Sequence, residues 1–499
     1  MKLSHIIFAD DIMFFCKASR RSPLILMQKF EEFSAMSGLK VNNMKSHMFF
    51  GATSALTKQF LQQSEDFKEG TLPVRYLGLP LVSTRLSIAD CQVLIDKVHN
   101  RISSWAAKLL SYAGRVQLIS SVILHLQVYW CGAFILPRKV QKTIEAACRN
   151  FLWGGNWESN SMALVSWNDV CTPKVEGGLG LKQLKAWNRA ALSKKIWEIC
   201  FKKDDLWVEW ASTVLLKGKC IWRVSIPTDC SWSWKHILKT REVVRHCIRV
   251  MVGDGRTTSL FYDLWFGDSR LCDLIAEDDI GVWGADLTVH DWKHNSTWRI
   301  PDSFCRRYPT LAQQIQAQQL RTGEDTIQWT LSSGQFTISS CYEELRIPNP
   351  SVSWNNVVWS SFPRHNFLLW LVVKGRLKTK YFLARRGVQV DQTCCLCLAS
   401  TESCPHLFFE CPFSCAVWKS VLEKLNIRRM PHCWGREWIW VQRKCKGRSQ
   451  DKKIDAAACS AAVYFIWKDR NLRIFQNQCN PVQTTLHCIL DYLRCQFSL

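Results

Sequence analysis

The seven residues IIFADDI at positions 6–12 place two adjacent carboxylates, Asp10 and Asp11, between two short apolar runs. Short β-rich runs that a polar step interrupts are typical of a hairpin, so we expect both carboxylates at its tip, carried out of a buried sheet. Because side chains alternate across a strand, the two carboxylates cannot both face one site. Paired carboxylates suit Mg²⁺, which takes oxygen ligands and leaves room for phosphate. A polar turn without a metal is the alternative for any isolated Asp-Asp pair.

The segments that follow the hairpin carry a family resemblance. In chain order they are SGLKVN (37–42), KS (45–46) and YLGLPL (76–81). Together with FADD at 8–11, they resemble the palm of the reverse transcriptases of plant LINE-type (non-LTR) retrotransposons in sequence, order and spacing. The resemblance implies an RNA-directed DNA polymerase in which Asp10 and Asp11 bind Mg²⁺ and Lys45 lies near the phosphates of the incoming nucleotide. A solvated loop position is the alternative for Lys45.

The whole-chain composition limits the class of protein and of partner. With 499 residues, 47% of them hydrophobic, and 25 Trp, the chain is long and apolar enough for several domains with their own cores. A formal net charge of +23 indicates a polyanionic partner. Nucleic acid is favoured over a membrane because no strongly amphipathic basic helix stands out. The resemblance implies that this nucleic acid is an RNA template and a DNA primer or target. A basic protein without such a partner is the alternative, and the oligomeric state stays open.

The cysteines indicate a reducing compartment. There are 24 Cys, mostly scattered singly, and the charged Asp10 and Asp11 interrupt the N-terminal apolar run that a signal peptide would need. We therefore expect thiols that are free or metal-bound, in an intracellular protein of the cytoplasm or nucleus that is not secreted. The longest stretch of small apolar residues, 456–467, is too short to span a bilayer core of about 30 Å.

The palm-like region predicts one helix and two further strands. Ser22 is the expected N-cap, Pro23 occupies the first turn, and Gly38 ends the helix, which would pack under the hairpin. Residues 39–41 and 48–50 are the strand candidates.

The next region predicts three helices. Ser87 and Asp90 have the spacing of a capping box that opens a long helix reaching Leu109, and Gly114 separates that helix from a second one, which runs to Pro137. A third helix has one apolar face, formed by Val140, Ile144, Ala147 and Phe151. Three helices after a palm resemble a polymerase thumb, which grips the template–primer duplex. Their basic residues either contact phosphates or form a solvated face: Lys97, Arg101, Lys108, Arg115, Arg138, Lys139 and Lys142.

A cysteine and histidine cluster lies near position 400. Cys394 and Cys397 have the CxxC spacing that lets two thiolates reach one ion, and His406 and Cys411 would complete a tetrahedral Cys₃His zinc site. Such a closed site is structural, because no coordination position is left for catalysis. Cys395, Cys404 and Cys415 leave the ligand choice ambiguous, and a cluster of buried free thiols is the alternative. The run from 394 to 411 resembles the zinc-binding domain of the same reverse transcriptases, as do segments at 362–379, Trp418 and 466–471.

A basic stretch precedes the zinc motif. Between 364 and 390 there is no Asp or Glu, and the cations are Arg364, Lys374, Arg376, Lys378, Lys380, Arg385 and Arg386. Trp370, Tyr381 and Phe382 interleave with them. This pattern favours backbone neutralisation and base stacking on single-stranded nucleic acid. The aromatic residues can equally belong to the core, and we expect this for Trp370.

These readings predict an α+β protein that is mostly α. We expect a partial palm with a hairpin and helix (1–85), a helical thumb-like region (86–204), an irregular Trp-rich connecting region (205–335), a small zinc-stabilised helical domain (336–435) and a C-terminal helical segment (436–499). The resemblance runs from Phe8 to about Phe475, and only seven residues precede Phe8. The fingers and the earlier palm strand with another metal-binding Asp are therefore expected to be absent.

Two functions remain at this point. The first is a truncated reverse transcriptase that binds nucleic acid and is inactive alone, because two metal ions cannot be held by an incomplete carboxylate set. The second is a non-catalytic, zinc-containing nucleic-acid-binding remnant.

Overall fold

The computed structural model describes residues 4–19, 21–42, 44–51, 53–64, 67–71, 73–82, 84–105, 110–159, 161–294, 297–319, 321, 323–331, 334–359, 363–447 and 449–497. The chain divides into two compact units, one formed by residues 1–90 and 193–336, the other by residues 91–192 and 337–499. Helices dominate and the sheets are small, which confirms the predicted α+β, mostly α class. Lys108, Leu109 and Phe362, named above, lie outside the described residues.

The described strands are short and pair two by two. They are β1 His5–Phe8, β2 Asp11–Phe14, β3 His47–Met48, β4 Lys68–Glu69, β5 Arg75–Tyr76, β6 Leu79–Pro80, β7 Ile248–Met251, β8 Lys293–His294, β9 Thr297–Trp298 and β10 Thr326–Trp329. The antiparallel pairs are β1–β2, β5–β6, β7–β10 and β8–β9, and β3–β4 is parallel.

The helices of the first half of the chain are α1 Ser22–Ser37, α2 Ala55–Ser64, α3 Gln92–Ser103, α4 Tyr112–Leu118, α5 Leu124–Leu126, α6 Val128–Ala133, α7 Arg138–Gly154, α8 Trp167–Cys171, α9 Leu184–Cys200, α10 Leu206–Trp210 and α11 Trp232–Val244. Those of the second half are α12 Leu271–Leu274, α13 Glu277–Trp283, α14 Asp302–Arg307, α15 Pro309–Gln316, α16 Ile338–Leu345, α17 Asn355–Val358, α18 Pro363–Val373, α19 Lys380–Ala384, α20 Pro412–Lys424, α21 Trp434–Lys444, α22 Gln450–Gln476 and α23 Val482–Phe497. Single π-helical turns lie at Ile119–Ile123, Ala211–Leu215 and His406–Glu410.

The predicted hairpin is confirmed, whereas the predicted buried sheet is wrong. Phe8 of β1 lies opposite Asp11 of β2, so Ala9 and Asp10 form the turn and Asp11 begins the second strand. Ala9 has a left-handed φ of 52°, as a two-residue hairpin turn requires. Ile7 and Phe8 are 53% and 60% exposed, because this ribbon has two strands and no second layer covers these side chains within the described residues.

Helix α1 follows the prediction at its end and departs from it at its start. Gly38 ends the helix with a φ of 75°, and Pro23 lies in the first turn, as expected. Ser22 is not the cap: it lies inside the helix, and its N–H donates to Ser19 Oγ at 3.1 Å. Phe30 of α1 packs edge-on against Phe14 of the hairpin, with 5.3 Å between the ring centroids.

The strand prediction for this region is only partly right. Residues 39–41 form no strand, because no ladder hydrogen bonds join them to a neighbour in the described part of the chain. At the second candidate, only Met48 belongs to a strand, as the end of β3.

The three-helix prediction is right for the last helix and wrong in detail for the second. Ser87 and Asp90 make the reciprocal capping-box bonds, at 2.7 and 3.1 Å, and α3 begins just beyond them at Gln92. Gly114 separates nothing: it lies inside α4, where its N–H donates to the Ser111 side chain that caps the helix. The predicted second helix contains a π-helical turn at Ile119–Ile123, is interrupted at Gln127 and ends at Ala133. The predicted apolar face of α7 is buried.

Each unit has its own core. In residues 193–336, the Trp-rich stretch predicted to be irregular encloses buried aromatic rings, among them Phe261, Trp292 and Phe304. In the other unit, α22 packs against α17, α18, α20 and α23. Small side chains along α22, such as Ala457 and Ala461, are fully buried and let these helices approach closely. None of the helices that the structure describes has the length and apolar content that a membrane crossing requires.

Candidate metal centre and basic surface

Four predicted side chains converge in the unit of residues 91–192 and 337–499. The ligand atoms of Cys394, Cys397, His406 and Cys411 all lie within 4.8 Å of one another, and Cys397 Sγ is 3.3 Å from His406 Nε2. Zn–S bonds of about 2.3 Å and Zn–N bonds of about 2.0 Å place tetrahedral ligand atoms roughly 3.5 Å apart, so this arrangement fits one ion. Cys394 and Cys411 are fully buried, and the other two are half-buried.

Local backbone structure brings the four side chains together. The segment after Cys394 turns back on itself, with Leu398 N–H donating to Cys394 O at 2.8 Å and Cys394 N–H donating to Ser400 O at 2.7 Å. Leu398 adopts a left-handed φ of 57° in this turn. His406 opens a π-helical turn, and Cys411 is the N-cap residue of α20. The tight turn after Cys394 therefore presents two ligands, and the π-helical turn with the start of α20 presents the other two.

The electrostatics of the cluster favour a thiolate. A hydrogen bond from the Cys394 thiol holds the pKa of Cys411 below its ordinary value, and the backbone N–H groups of Ser414 and Phe413 in the first turn of α20 add to this effect. The same thiol–thiol hydrogen bond, together with burial, raises the pKa of Cys394. Since zinc binds thiolates, the donor set matches the needs of a structural zinc ion.

The competing cysteines lie outside the four-residue cluster. Cys395 Sγ faces the other way, 3.7 Å from Glu402 Oε2 and 3.8 Å from Arg470 O. Burial raises the pKa of Cys404 to about 12 and also raises that of Cys415. The geometry thus groups the four predicted ligands and leaves Cys395, Cys404 and Cys415 outside the group.

Sequence reasoning missed the residues that hold this loop in place. Glu402 is fully buried and accepts hydrogen bonds from Arg470 Nη2 at 2.7 Å and from Lys380 N–H at 2.9 Å. Arg473, one turn further along α22, reaches the backbone of Leu396. The one signal in the sequence is their position, because Asp469, Arg470 and Arg473 come just after the small apolar run 456–467.

The basic residues of the 364–390 stretch divide into two groups. Arg364, Arg376, Lys378, Arg385 and Arg386 are exposed, and Lys374 is half-buried. Lys380 differs, because its side chain is only 15% exposed and Nζ donates to Thr393 O at 2.8 Å. Of the interleaved aromatic residues, Trp370 is buried in the core, as expected, while Tyr381 is exposed with Arg385 over its ring.

The predicted catalytic residues lie in the other unit. Asp10, Asp11 and Lys45 are all exposed. Within the described residues, the groups of three or more possible metal ligands include neither carboxylate. Their role as Mg²⁺ ligands therefore stays a prediction.

Comparisons with known proteins agree with the position of the metal centre. Residues 336–418 match a family described as zinc-binding in reverse transcriptase. The match contains all four clustered side chains and the basic stretch. The zinc-binding part of this chain is therefore related to that of reverse transcriptases, and the match together with the cluster supports a structural zinc ion.

Two relatives from Arabidopsis thaliana extend the comparison. One, whose name includes the words ribonuclease H protein, is 28% identical over 80% of this chain and 66% of its own length. The chain thus spans slightly less than two thirds of that relative. The other, an uncharacterized mitochondrial protein, is 26% identical over 29% of this chain and 94% of its own length.

Proposed function

We propose that this chain derives from the reverse transcriptase of a plant LINE-type (non-LTR) retroelement, that it binds nucleic acid through a zinc-stabilised domain, and that it does not polymerise DNA by itself. The observation that carries the proposal is the closed cluster of Cys394, Cys397, His406 and Cys411 inside the segment that matches the zinc-binding family. The palm-like motifs near Asp10 and the ribonuclease H name of the longer relative support the retroelement origin.

The four clustered side chains would hold one zinc ion. The ion would supply folding energy rather than catalysis, because three sulfurs and one nitrogen would leave no coordination position open. Leu396 and Leu407, both buried, anchor the two segments that carry the four side chains, and a bound ion would join these segments. The basic stretch is attached to this arrangement, because Lys380 Nζ donates to the carbonyl oxygen of Thr393, which lies just before the first ligand.

The exposed cations of the stretch would contact the phosphate backbone. Arg376 and Lys378 flank the buried Leu377, which anchors the turn after α18. Tyr381 and Arg385 add an exposed ring and a guanidinium above it, a combination suited to stacking on a base. Phosphate contacts carry no sequence information, so we expect little sequence preference.

Binding of a labelled single-stranded oligonucleotide to the full chain tests this role. The affinity should fall with salt, and replacing Arg376 and Lys378 with Ala should reduce the slope of log K against log salt by about 0.7 for each lost contact. A matched control replaces Lys419 and Arg494, two exposed cations of the same unit that lie outside the stretch. A salt-independent affinity, or equal losses in both double variants, would contradict the proposal.

A second candidate is a non-catalytic zinc-containing remnant that retains only binding. The exposed position of Asp10 and Asp11, without a third ligand among the described residues, favours it. Primer extension on an RNA template with Mg²⁺ or Mn²⁺ tests the lack of polymerase activity that both candidates share. We expect no extension by the 499-residue chain, and templated extension that disappears in Asp10→Asn would overturn the proposed lack of activity.

A further inference from the structure

The loop that carries the first two thiols is contacted by an arginine from a distant helix. Arg473 of α22 donates from Nη1 to the carbonyl oxygen of Leu396 at 3.1 Å and to that of Cys395 at 3.5 Å. Its side chain is only 13% exposed. A nearly buried guanidinium thus lies on the two carbonyl groups between Cys394 and Cys397.

The N–H ends of the same two peptide groups, Cys395–Leu396 and Leu396–Cys397, face the metal centre. The N–H groups of Leu396 and Cys397 donate to the sulfur of Cys394. The carbonyl of one residue and the N–H of the next form one planar peptide unit, in which they point in opposite directions. Arg473 therefore lies at the oxygen side, and Cys394 at the hydrogen side, of both units. A positive charge at the oxygen polarises each unit and strengthens its hydrogen bond to a thiolate.

The guanidinium is held in this position by three further contacts. Arg473 Nε donates to Oδ2 of the buried Asp469 at 3.0 Å, and Nη2 donates to Asn480 O at 3.4 Å. The ring of Phe413, in the first turn of α20, lies 4.6 Å from the guanidinium carbon. The side chain is therefore fixed before a metal binds, and the partly desolvated surroundings strengthen its effect on the peptide dipoles.

A second arginine fixes the far side of the loop. Arg470 Nη2 donates to Glu402 Oε1 at 2.7 Å, and both side chains are buried. The backbone N–H of Glu402 in turn donates to Gln392 O at 2.8 Å, ahead of Cys394. The loop thus keeps its geometry through α22, which lies outside the segment that matches the zinc-binding family.

We propose that Arg473 is a positioning residue of the zinc centre, which acts through two peptide groups on Cys394 and slows the loss of the metal. This inference rests on the proposed ligand set. It also makes α22 part of the zinc-binding unit, although the family match ends at residue 418.

The test measures zinc release from the full chain to a chromogenic chelator, together with the absorption spectrum of the Co²⁺-loaded protein. Arg473→Gln keeps a polar side chain but removes the charge, and it should release zinc about 10- to 100-fold faster, as is typical when an outer-shell partner is lost. Its Co²⁺ ligand-field bands should shift, because the Cys394 thiolate loses polarised donors. Arg473→Lys, which keeps the charge, should fall between Arg473→Gln and the unchanged protein.

Two matched variants separate this role from general destabilisation. Arg494→Gln removes an exposed arginine from α23, and Ile466→Val loosens the buried face of α22, so both should retain the unchanged release rate and Co²⁺ spectrum. Equal zinc-release rates in Arg473→Gln and the unchanged protein would overturn the inference. An equally large increase of the release rate in Ile466→Val would also overturn it. If Arg473→Gln does not fold, Arg473→Lys decides by the same criteria. An unchanged chain that holds no zinc would instead refute the ligand assignment.

Discussion

The hairpin with Asp10 and Asp11 and the loop with Cys394 and Cys397 are both short motifs of paired polar residues, yet their surroundings differ. The hairpin is a two-stranded ribbon whose carboxylates and several apolar side chains are exposed. In the loop of Cys394 and Cys397, called the zinc loop below, Cys394 is fully buried and the backbone accepts a hydrogen bond from Arg473 of α22. The difference teaches that a motif becomes a site only when other segments supply the remaining ligands and fix the geometry.

The largest expected effect is on the zinc loop. Chelation of the metal should remove local folding energy on the order of 10 kcal/mol, as in isolated zinc peptides. Amide hydrogen exchange should therefore rise sharply across 394–411. It should stay slow in α7, which carries its own buried apolar face and serves as the internal control. Protection of 394–411 that survives chelation would show that the metal is not what holds this segment.

A smaller loss is expected at the buried carboxylate of α21. Glu437 is fully buried and accepts from Trp418 Nε1 at 2.7 Å and from Arg429 Nη1 at 2.9 Å. Glu437→Gln should lower the free energy of unfolding by about 3 kcal/mol, because Arg429 loses its charged partner. Glu423→Gln is the control, since its pair with Lys419 is exposed and should contribute less than about 1 kcal/mol. Equal losses in denaturant titrations would contradict this ranking.

A loss of stability of similar size is expected at low pH, and it comes from His365. Burial, with a smaller contribution from Arg364, lowers the pKa of His365 to about 4. The unfolded chain therefore binds a proton near pH 6.5 that the folded chain does not bind until about pH 4, so stability falls as the pH falls through this window. At about 1.4 kcal/mol per pKa unit, the loss is on the order of 3 kcal/mol.

His365→Phe should flatten this dependence, because Tyr464 and Tyr492 already surround the site with aromatic rings. His487→Phe, at an exposed position of α23, should keep the original slope. The measurement is the free energy of unfolding between pH 7 and pH 4. An identical slope in the unchanged protein and in His365→Phe would rule out this histidine as the source.

The smallest effect is expected at the hairpin. Asp10→Asn and Asp11→Asn change exposed side chains and should shift the free energy of unfolding by no more than about 0.5 kcal/mol. Asp469→Asn, which replaces the buried partner of Arg473, is the comparison and should lower the free energy of unfolding clearly more than either hairpin change. A large loss on changing Asp10 or Asp11 would mean that the hairpin carboxylates are embedded after all, and the contrast between the two regions would disappear.

Local signals in the sequence predicted the local features well. The hairpin, the Gly38 helix end, the capping bonds of Ser87 and Asp90, and the convergence of Cys394 with Cys411 all depend on nearby residues. Predictions that needed long-range knowledge failed, as with the sheet expected to bury the hairpin.

The same limit explains what was overlooked. Arg473 and Cys395 are far apart in the chain, and no spacing rule connects them. Lys380 was assigned to the nucleic-acid surface by its charge, although its ammonium group is bound to Thr393 O. Tertiary contacts decide such roles, and a single sequence does not display them.

The central claim is that Cys394, Cys397, His406 and Cys411 hold one zinc ion. Elemental analysis of the purified full chain tests it most directly, with single replacements at ligand and non-ligand positions. We expect one zinc per chain, lost in Cys397→Ser and His406→Ala but retained in Cys404→Ser and Cys415→Ser. A folded chain without zinc, or zinc that is lost only on replacing Cys404 or Cys415, would contradict the account.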